Sequence, residues 1–334
     1  MTATANKTAT SAESLATLHA ADMPDVEAQF RYRKPLRPGE GMPAFDGNGQ
    51  SSGEEVYDDP DYTTPTMAVR NARKLGKSID CEGFALVECP SDVENFYDDE
   101  EMRAKYHEEM KTAVKKLLTE SEGFGKPSFV MTNGHITRNE ARALNGEQLG
   151  SHHLVHNDFT PAFRSVLSQR TPLIDLFVEN GGRVCIFNTW RRFDPAAMRS
   201  PLAMCDSTSI VSGDLIATSL ANYGSGLEAT EQQRDGLGGE GGIPKFDIYQ
   251  ASENLNHRWF YYPKMTKDEA LIFKTYDSHH PDAETFIPTM HSAFDDPLCP
   301  DSLSDPSKHP RESIECRIFC FFAPKNGFSL AAKA

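Results

Sequence analysis

The 334-residue chain lacks any CxxC pair: its seven cysteines (Cys81, Cys89, Cys185, Cys205, Cys299, Cys316 and Cys320) are scattered and odd in number. Neither a zinc ribbon nor a disulfide framework fits. Cys316 and Cys320, inside the apolar run IECRIFCFF, read as reduced core residues of an intracellular protein. No apolar run approaches the roughly 18–20 residues that cross a bilayer. The opening MTATANKTATSAESLATLHAADM lacks both the apolar core of a secretory signal and the arginines of a mitochondrial presequence, and reads as a flexible extension. Positive charge is also in short supply, with 34 Lys and Arg against 49 Asp and Glu for a formal charge of −15. Nucleic-acid backbones and anionic membrane surfaces would therefore be repelled. The glycine-rich DGLGGEGGIPKF lacks the flanking strand and helix of a nucleotide site and reads as a surface loop or active-site lid. The expectation is a cytoplasmic protein with a small-molecule partner, no nucleic acid and no membrane.

What is present falls into two textures. Residues 1–60 are rich in Pro, Gly, Asp and Ser without a clean period, and read as an extended, partly flexible N-terminal arm. Residues 61–334 read as a single catalytic domain. In it MAVRNARKLGK suggests a short helix, GFALVECP and SFVMTNGHIT suggest strands, and the stretch 98–122 has the spacing of an amphipathic helix. After Leu154 come short strand-like runs: RVCIFNTWRRF, PLAMCDSTSIV, DLIATSLAN, KFDIYQAS, HRWFYYPKM, FIPTMHSAF and SIECRIFCFFAP. Two helical insertions are expected between them, PAFRSVLSQRTPLIDLFVEN and TKDEALIFKTYDS. The fold class is α+β with a mainly β core: a jelly roll or barrel (about 150–326) with a helical buttress and an N-terminal extension.

SHHLVHNDF carries the chemistry. In a strand, side chains at i and i+2 share a face, so His156 and Asp158 point together while Asn157 points away. One more histidine would complete a 2-His-1-carboxylate triad, the site of non-haem Fe(II). Of the other histidines, His291 in the strand FIPTMHSAF is the best third ligand. His152 and His153 fall on the approach, and His279 and His280 read as residues following a helix. On the last strand, alternation sets Arg311, Ser313, Glu315 and Arg317 on one face and Ile314, Cys316, Ile318 and Cys320 on the other. Buried guanidinium groups are costly unless they meet an anion, and a dicarboxylic acid suits them, with the serine hydroxyl as a further donor. Asn188, Trp190, Arg191, Arg258, Trp259 and Tyr261 are candidate substrate-lining residues; the bland alternative is plain core.

HxD, a strand-borne His and RxS on the last strand, in that order, resemble the Fe(II)/2-oxoglutarate-dependent dioxygenases, whose core is a double-stranded β-helix. More narrowly, NTWRRF, PLAMCDSTS, NHRWFYYPKMTKDEALIFKTYDS, MHSAFDDP and PRESIECR resemble the fungal hydroxylase/desaturase family over roughly residues 60–326. The resemblance implies iron on His156, Asp158 and His291, and 2-oxoglutarate anchored by Arg311 and Ser313, with O2 as co-substrate. Arg317 is the other option for the anchor. It implies hydroxylation, desaturation or oxidative cyclisation of a small acid or amino-acid-like secondary-metabolism intermediate, with succinate and CO2 released. The substrate is expected to bear a carboxylate, and a homodimer is compatible with the reading. Two other readings stand beside it: a catalytically silent cupin-like accessory subunit, and a methyltransferase-associated component, for which no glycine-rich strand–loop–helix is seen.

Overall fold

Two β-sheets packed face to face form the body of the computed structural model, which describes residues 18–46, 59–194, 199–221, 246–280, 282, 284–299, 310–324 and 327. The first 17 residues, the glycine-rich stretch 235–245 and His309 lie outside the described residues. The strands are β1 (Val26–Gln29), β2 (Tyr32–Arg33), β3 (Ala44–Asp46), β4 (Tyr62–Thr63), β5 (Thr66–Asn71) and β6 (Phe84–Glu88). After them come β7 (Phe129–Asn139), β8 (His156–Asn157), β9 (Arg183–Arg192), β10 (Leu202–Cys205) and β11 (Leu215–Ala221). The last are β12 (Phe246–Ala251), β13 (Trp259–Tyr261), β14 (Glu269–Asp277), β15 (His291–Ala293) and β16 (Glu312–Phe322). One sheet has the order β1-β5-β13-β10-β15-β8-β12-β11-β3, and the other β6-β14-β9-β16-β7. The sheets do not close into a barrel; they form the jelly roll expected from the runs of short strands.

The five-stranded sheet is covered on both faces, which explains its strands. Along β16, Ile314, Cys316, Ile318 and Cys320 pack outward against an amphipathic helix, α1 (His107–Glu120), through Met110, Val114 and Leu118. Fully burying each of those three side chains contributes about 1.5–3 kcal/mol. Phe319 and Phe321 point inward to the inter-sheet core with Val184 and Ile186 of β9. The inward face of β16 thus begins polar, at Ser313, Glu315 and Arg317, and ends aromatic. That change divides the space between the sheets into a pocket and a core. Two short helices, α2 (Phe163–Arg170) and α3 (Leu173–Glu179), close the core end through Phe163, Leu167, Ile174 and Phe177.

Two expected helices are strands. MAVRN forms β5, where Met67 and Val69 are buried and alternate with exposed residues between β1 and β13. TKDEALIFKTYDS forms β14, in which Ala270 to Phe273 are all buried. A central strand covered on both faces has no period of two, and its apolar run is indistinguishable from a buried helix by pattern. His279 and His280 consequently follow a strand. The arm supplies β1, β2 and β3, with β1 on β5 and β3 parallel to β11.

Candidate metal centre and co-substrate pocket

β8 lies between β12 and β15, and its His156 is the direct cross-strand neighbour of His291. Two residues on, Asp158 returns to the same face, while the Asn157 amide points away and donates to the carbonyls of Phe159 and Thr275. The side chains of His156, Asp158 and His291 therefore converge, each offering a ligand atom within 4.8 Å of the others. His156 Nδ1 donates to the Leu154 carbonyl at 2.7 Å, and His291 Nδ1 donates to the Thr289 carbonyl at 3.2 Å. These bonds leave both Nε2 atoms as free lone pairs. They lie 3.5 Å and 3.7 Å from Asp158 Oδ1. Burial first, and then the neighbouring His156, lowers His291 to about 3, so it is neutral at pH 7. Burial works to raise the Asp158 carboxyl, but the adjacent Arg317 guanidinium outweighs it and holds it well below the ordinary carboxylate range. Two oriented imidazoles and one carboxylate are a donor set that fits Fe(II) and leaves the other octahedral positions open.

The pocket around this group is lined on the five-stranded sheet by Arg138, Trp190, Glu315 and Arg317, with Arg311 just ahead of the last strand. The register explains the grouping. Ser313 is paired with Arg138 on one side and Arg192 on the other, Glu315 with Trp190, and Arg317 with Asn188. Arg311 is buried. Its Nη1 donates to the Ser200 carbonyl at 2.7 Å, its guanidinium stands 5.6 Å from the Trp190 ring, and its backbone N–H is held by Glu140 Oε2 at 2.9 Å. Burial lowers Arg311 to about 10, so it remains a cation at neutral pH. Arg311 Nε and Ser313 Oγ are buried without a hydrogen-bond partner among the described residues. Arg317 is committed differently: Nη2 lies 3.1 Å from Asp158 Oδ2 and 3.2 Å from Glu315 Oε1.

Of the substrate-lining candidates, only Trp190 faces the pocket directly. Asn188 is beneath it, donating to Asp158 Oδ2 at 2.8 Å. Arg191 is on the outer face of β9, opposite Ile314, and donates to the carbonyls of Lys267 and Cys89. Arg258 pairs with Asp206 at 3.0 Å. Trp259 and Tyr261 belong to the apolar layer on the face of the larger sheet turned away from the pocket: Trp259 stacks on Phe30, and the Tyr261 hydroxyl donates to the Pro24 carbonyl. Their parity explains this, because His291 is paired with Met204 and Met204 with Phe260, so Trp259 and Tyr261 face the other way. His152, expected on the approach, lines the pocket with its ring 4.5 Å from that of His156; sequence reading missed Arg138, which enters the pocket only through its register with Ser313. It also missed the apolar wall of Leu202, Leu220, Phe246 and Ile248 on the larger sheet. No local pattern marks these residues; cross-strand pairing brings them in.

Fold and site together define a non-haem Fe(II)/2-oxoglutarate-dependent oxygenase. The chain belongs to the family described as oxidoreductase/YMDC permease-like domain, which matches residues 30–321, and its relatives are fungal hydroxylase/desaturases and dioxygenases. Hydroxylase/desaturase efuI of Hormonema carpetanum is 28% identical over 277 residues, spanning 78% of this chain and 85% of that protein. Alpha-ketoglutarate-dependent dioxygenase phiK, from a fungal species, is 25% identical over 303 residues, spanning 89% and 96%. Among solved structures, the iron and alpha-ketoglutarate-dependent endoperoxidase NvfI in a different conformation superposes with a TM-score of 0.66 at 20% identity, over 90% of this chain and 99% of that one. At that identity the likeness speaks for the fold.

Proposed function

We propose that His156, Asp158 and His291 hold the iron, that Arg311 and Ser313 bind the distal carboxylate of 2-oxoglutarate, and that the enzyme oxidises a small carboxylate-bearing intermediate of secondary metabolism. The observation that carries the anchor is the pair of buried, unpartnered donors, Arg311 Nε and Ser313 Oγ, beside an iron-type donor set. A buried guanidinium left short of partners is costly, and a carboxylate bound bidentately removes that cost. Arg317 is less suited to the task because two carboxylates already share it. When bound, Fe(II) with 2-oxoglutarate and O2 supplies the oxidising power, and succinate and CO2 are the by-products.

The chain's own residues then do four things. The backbone carbonyls of Leu154 and Thr289 fix both imidazole tautomers. Trp190 and the Glu140–Arg311 contact hold the anchor in place. Leu202, Leu220, Phe246 and Ile248 give the substrate's hydrocarbon body a dry wall. Arg138, on the same sheet face as Ser313, supplies a cation for the substrate's acidic group. Whether hydrogen removal ends in hydroxylation, desaturation or cyclisation depends on the substrate. Anaerobic addition of Fe(II) and 2-oxoglutarate should give a weak visible charge-transfer band, absent in Asp158→Ala. No band in the intact protein, with no succinate formed from any candidate acid, would favour the silent accessory subunit instead.

A further inference from the structure

The two oxygens of Asp158 live in different surroundings. Oδ1 faces the Nε2 atoms of His156 and His291, at 3.5 Å and 3.7 Å. Oδ2 is turned to the five-stranded sheet, where it accepts from Asn188 Nδ2 at 2.8 Å and from Arg317 Nη2 at 3.1 Å. These two donors are direct cross-strand partners on β9 and β16, held by a continuous ladder. The Asn188 amide is oriented in turn: its Oδ1 accepts from Thr275 Oγ1 at 3.4 Å, which directs Nδ2 at the carboxylate. Arg317 is steadied by Glu315 Oε1 at 3.2 Å and stands 5.7 Å from the Phe159 ring. A cation beside a metal site does nothing for metal attraction, so the guanidinium needs another reason to be there.

We propose that Arg317 and Asn188 are positioning residues that occupy Asp158 Oδ2 and so limit this carboxylate to one metal-facing oxygen. A carboxylate free to use both oxygens takes an extra position on an octahedral ion. The clamp reserves that position for the 2-oxo acid end of the co-substrate. It rests on the iron-site reading above, and it assigns to Arg317 a task separate from the anchoring done by Arg311.

The test uses the full chain loaded with Mn(II) alone, whose bound waters are counted by water-proton relaxivity. The variants are Arg317→Gln combined with Glu315→Gln, which keeps that pair neutral, and Asn188→Ala, which keeps every charge. Loss of the clamp should remove about one bound water from an ion with three protein ligands, lowering relaxivity per bound Mn(II) by about a third. Mn(II) affinity should hold or rise, and the affinity of the Mn(II) protein for 2-oxoglutarate should fall about tenfold, in line with outer-shell substitutions at metal sites. Asn188→Ala should move the same quantities in the same direction by less, and it serves alone if the double variant does not fold. Unchanged relaxivity in variants that fold and bind Mn(II), with only a lower melting temperature, would overturn the clamp and leave a structural ion pair. A loss of Mn(II) affinity at constant water count would also overturn it. Failure of the unaltered protein to bind Mn(II) would instead remove the site reading itself.

Discussion

At the scale of the residue, Arg311 is buried, charged and short of partners, so its substitution should be felt selectively. Arg311→Met preserves much of the packing against Trp190 and the backbone N–H bond to Glu140 but removes the side-chain donors, so the Ser200 carbonyl loses its counterpart. The KM for 2-oxoglutarate should rise about 10- to 150-fold, the worth of one charge-assisted bond, with Fe(II) affinity little changed. Steady-state kinetics beside metal titration separates the two quantities; a parallel loss of both would mean that the pocket itself had collapsed. Gly83 is a second sensitive point. Its φ of +86° belongs to the left-handed region, and an added Cβ would strike Thr289 Oγ1. Thr289 is the residue whose carbonyl orients His291, and its hydroxyl donates to the Gly83 carbonyl. Gly83→Ala should therefore lower the melting temperature and weaken metal binding together, although Gly83 touches no ligand. At this scale the convergence of His156 and Asp158 is readable from the chain, because i and i+2 on a strand need no further information, whereas His291 joins them through its pairing with His156. Arg191 was misplaced because its neighbour's parity decides which side of the sheet it serves, and parity is settled by pairing with Ile314.

At the scale of the element, the helix 107–120 is entered through a short helical turn at Asp99–Glu101 and a π-type turn at Met102–Tyr106, where the chain gains a residue per turn. Under that entry lies a buried chain of polar groups. His107 Nε2 meets His135 Nδ1 at 3.0 Å, His135 Nε2 meets Asp99 Oδ1 at 3.1 Å, and Thr132 Oγ1 is 3.4 Å from His107 Nδ1. Burial is the main cause in both, followed by His135 and Arg103 at His107 and by Arg103 at His135, and both imidazoles are lowered to about 4. Between about pH 6.5 and pH 4 the unfolded chain binds protons that the folded chain refuses, so stability falls as pH falls through that window. Urea midpoints at pH 7.5 and pH 5 should therefore drop in the unaltered protein and drop less in His107→Gln/His135→Gln. An equal drop in both would assign the acid sensitivity to other groups. The helix was legible from its period, and so was β16 from its alternation. β14 was not, because both of its faces are covered. β5 was not, because the strands that claim it come from distant parts of the chain.

At the scale of the whole molecule, the arm bears on what counts as the folding unit. It contributes Val26, Ala28, Phe30 and Tyr32, all buried, to the apolar layer on the face of the larger sheet turned away from the pocket. Phe30 stacks on Trp259 with ring centroids 4.2 Å apart. The Tyr32 hydroxyl receives the Trp259 indole N–H at 2.9 Å and lies 2.9 Å from His257 Nδ1, whose Nε2 is 3.0 Å from Asp214. Nothing in the composition of residues 1–60 announces this, because short strands among Pro, Gly and Asp carry too few residues for a period to emerge. Their burial is created by the sheet they join. A chain beginning at residue 61 would leave Trp259 without its stacking partner and its hydrogen bond. It would also expose the edge of β5, a template for association with other chains. Uncovering Phe30, Tyr32, Val26 and Ala28 positions removes several side chains worth about 1.5–3 kcal/mol each when large and fully buried, against a total stability of about 5–15 kcal/mol. The truncated chain should be insoluble or lack a cooperative thermal transition, whereas one beginning at residue 18 should melt with the full chain. Differential scanning calorimetry of the two truncations decides it. A cooperative, metal-binding product from residue 61 onward would show that the arm decorates the jelly roll without being part of its core.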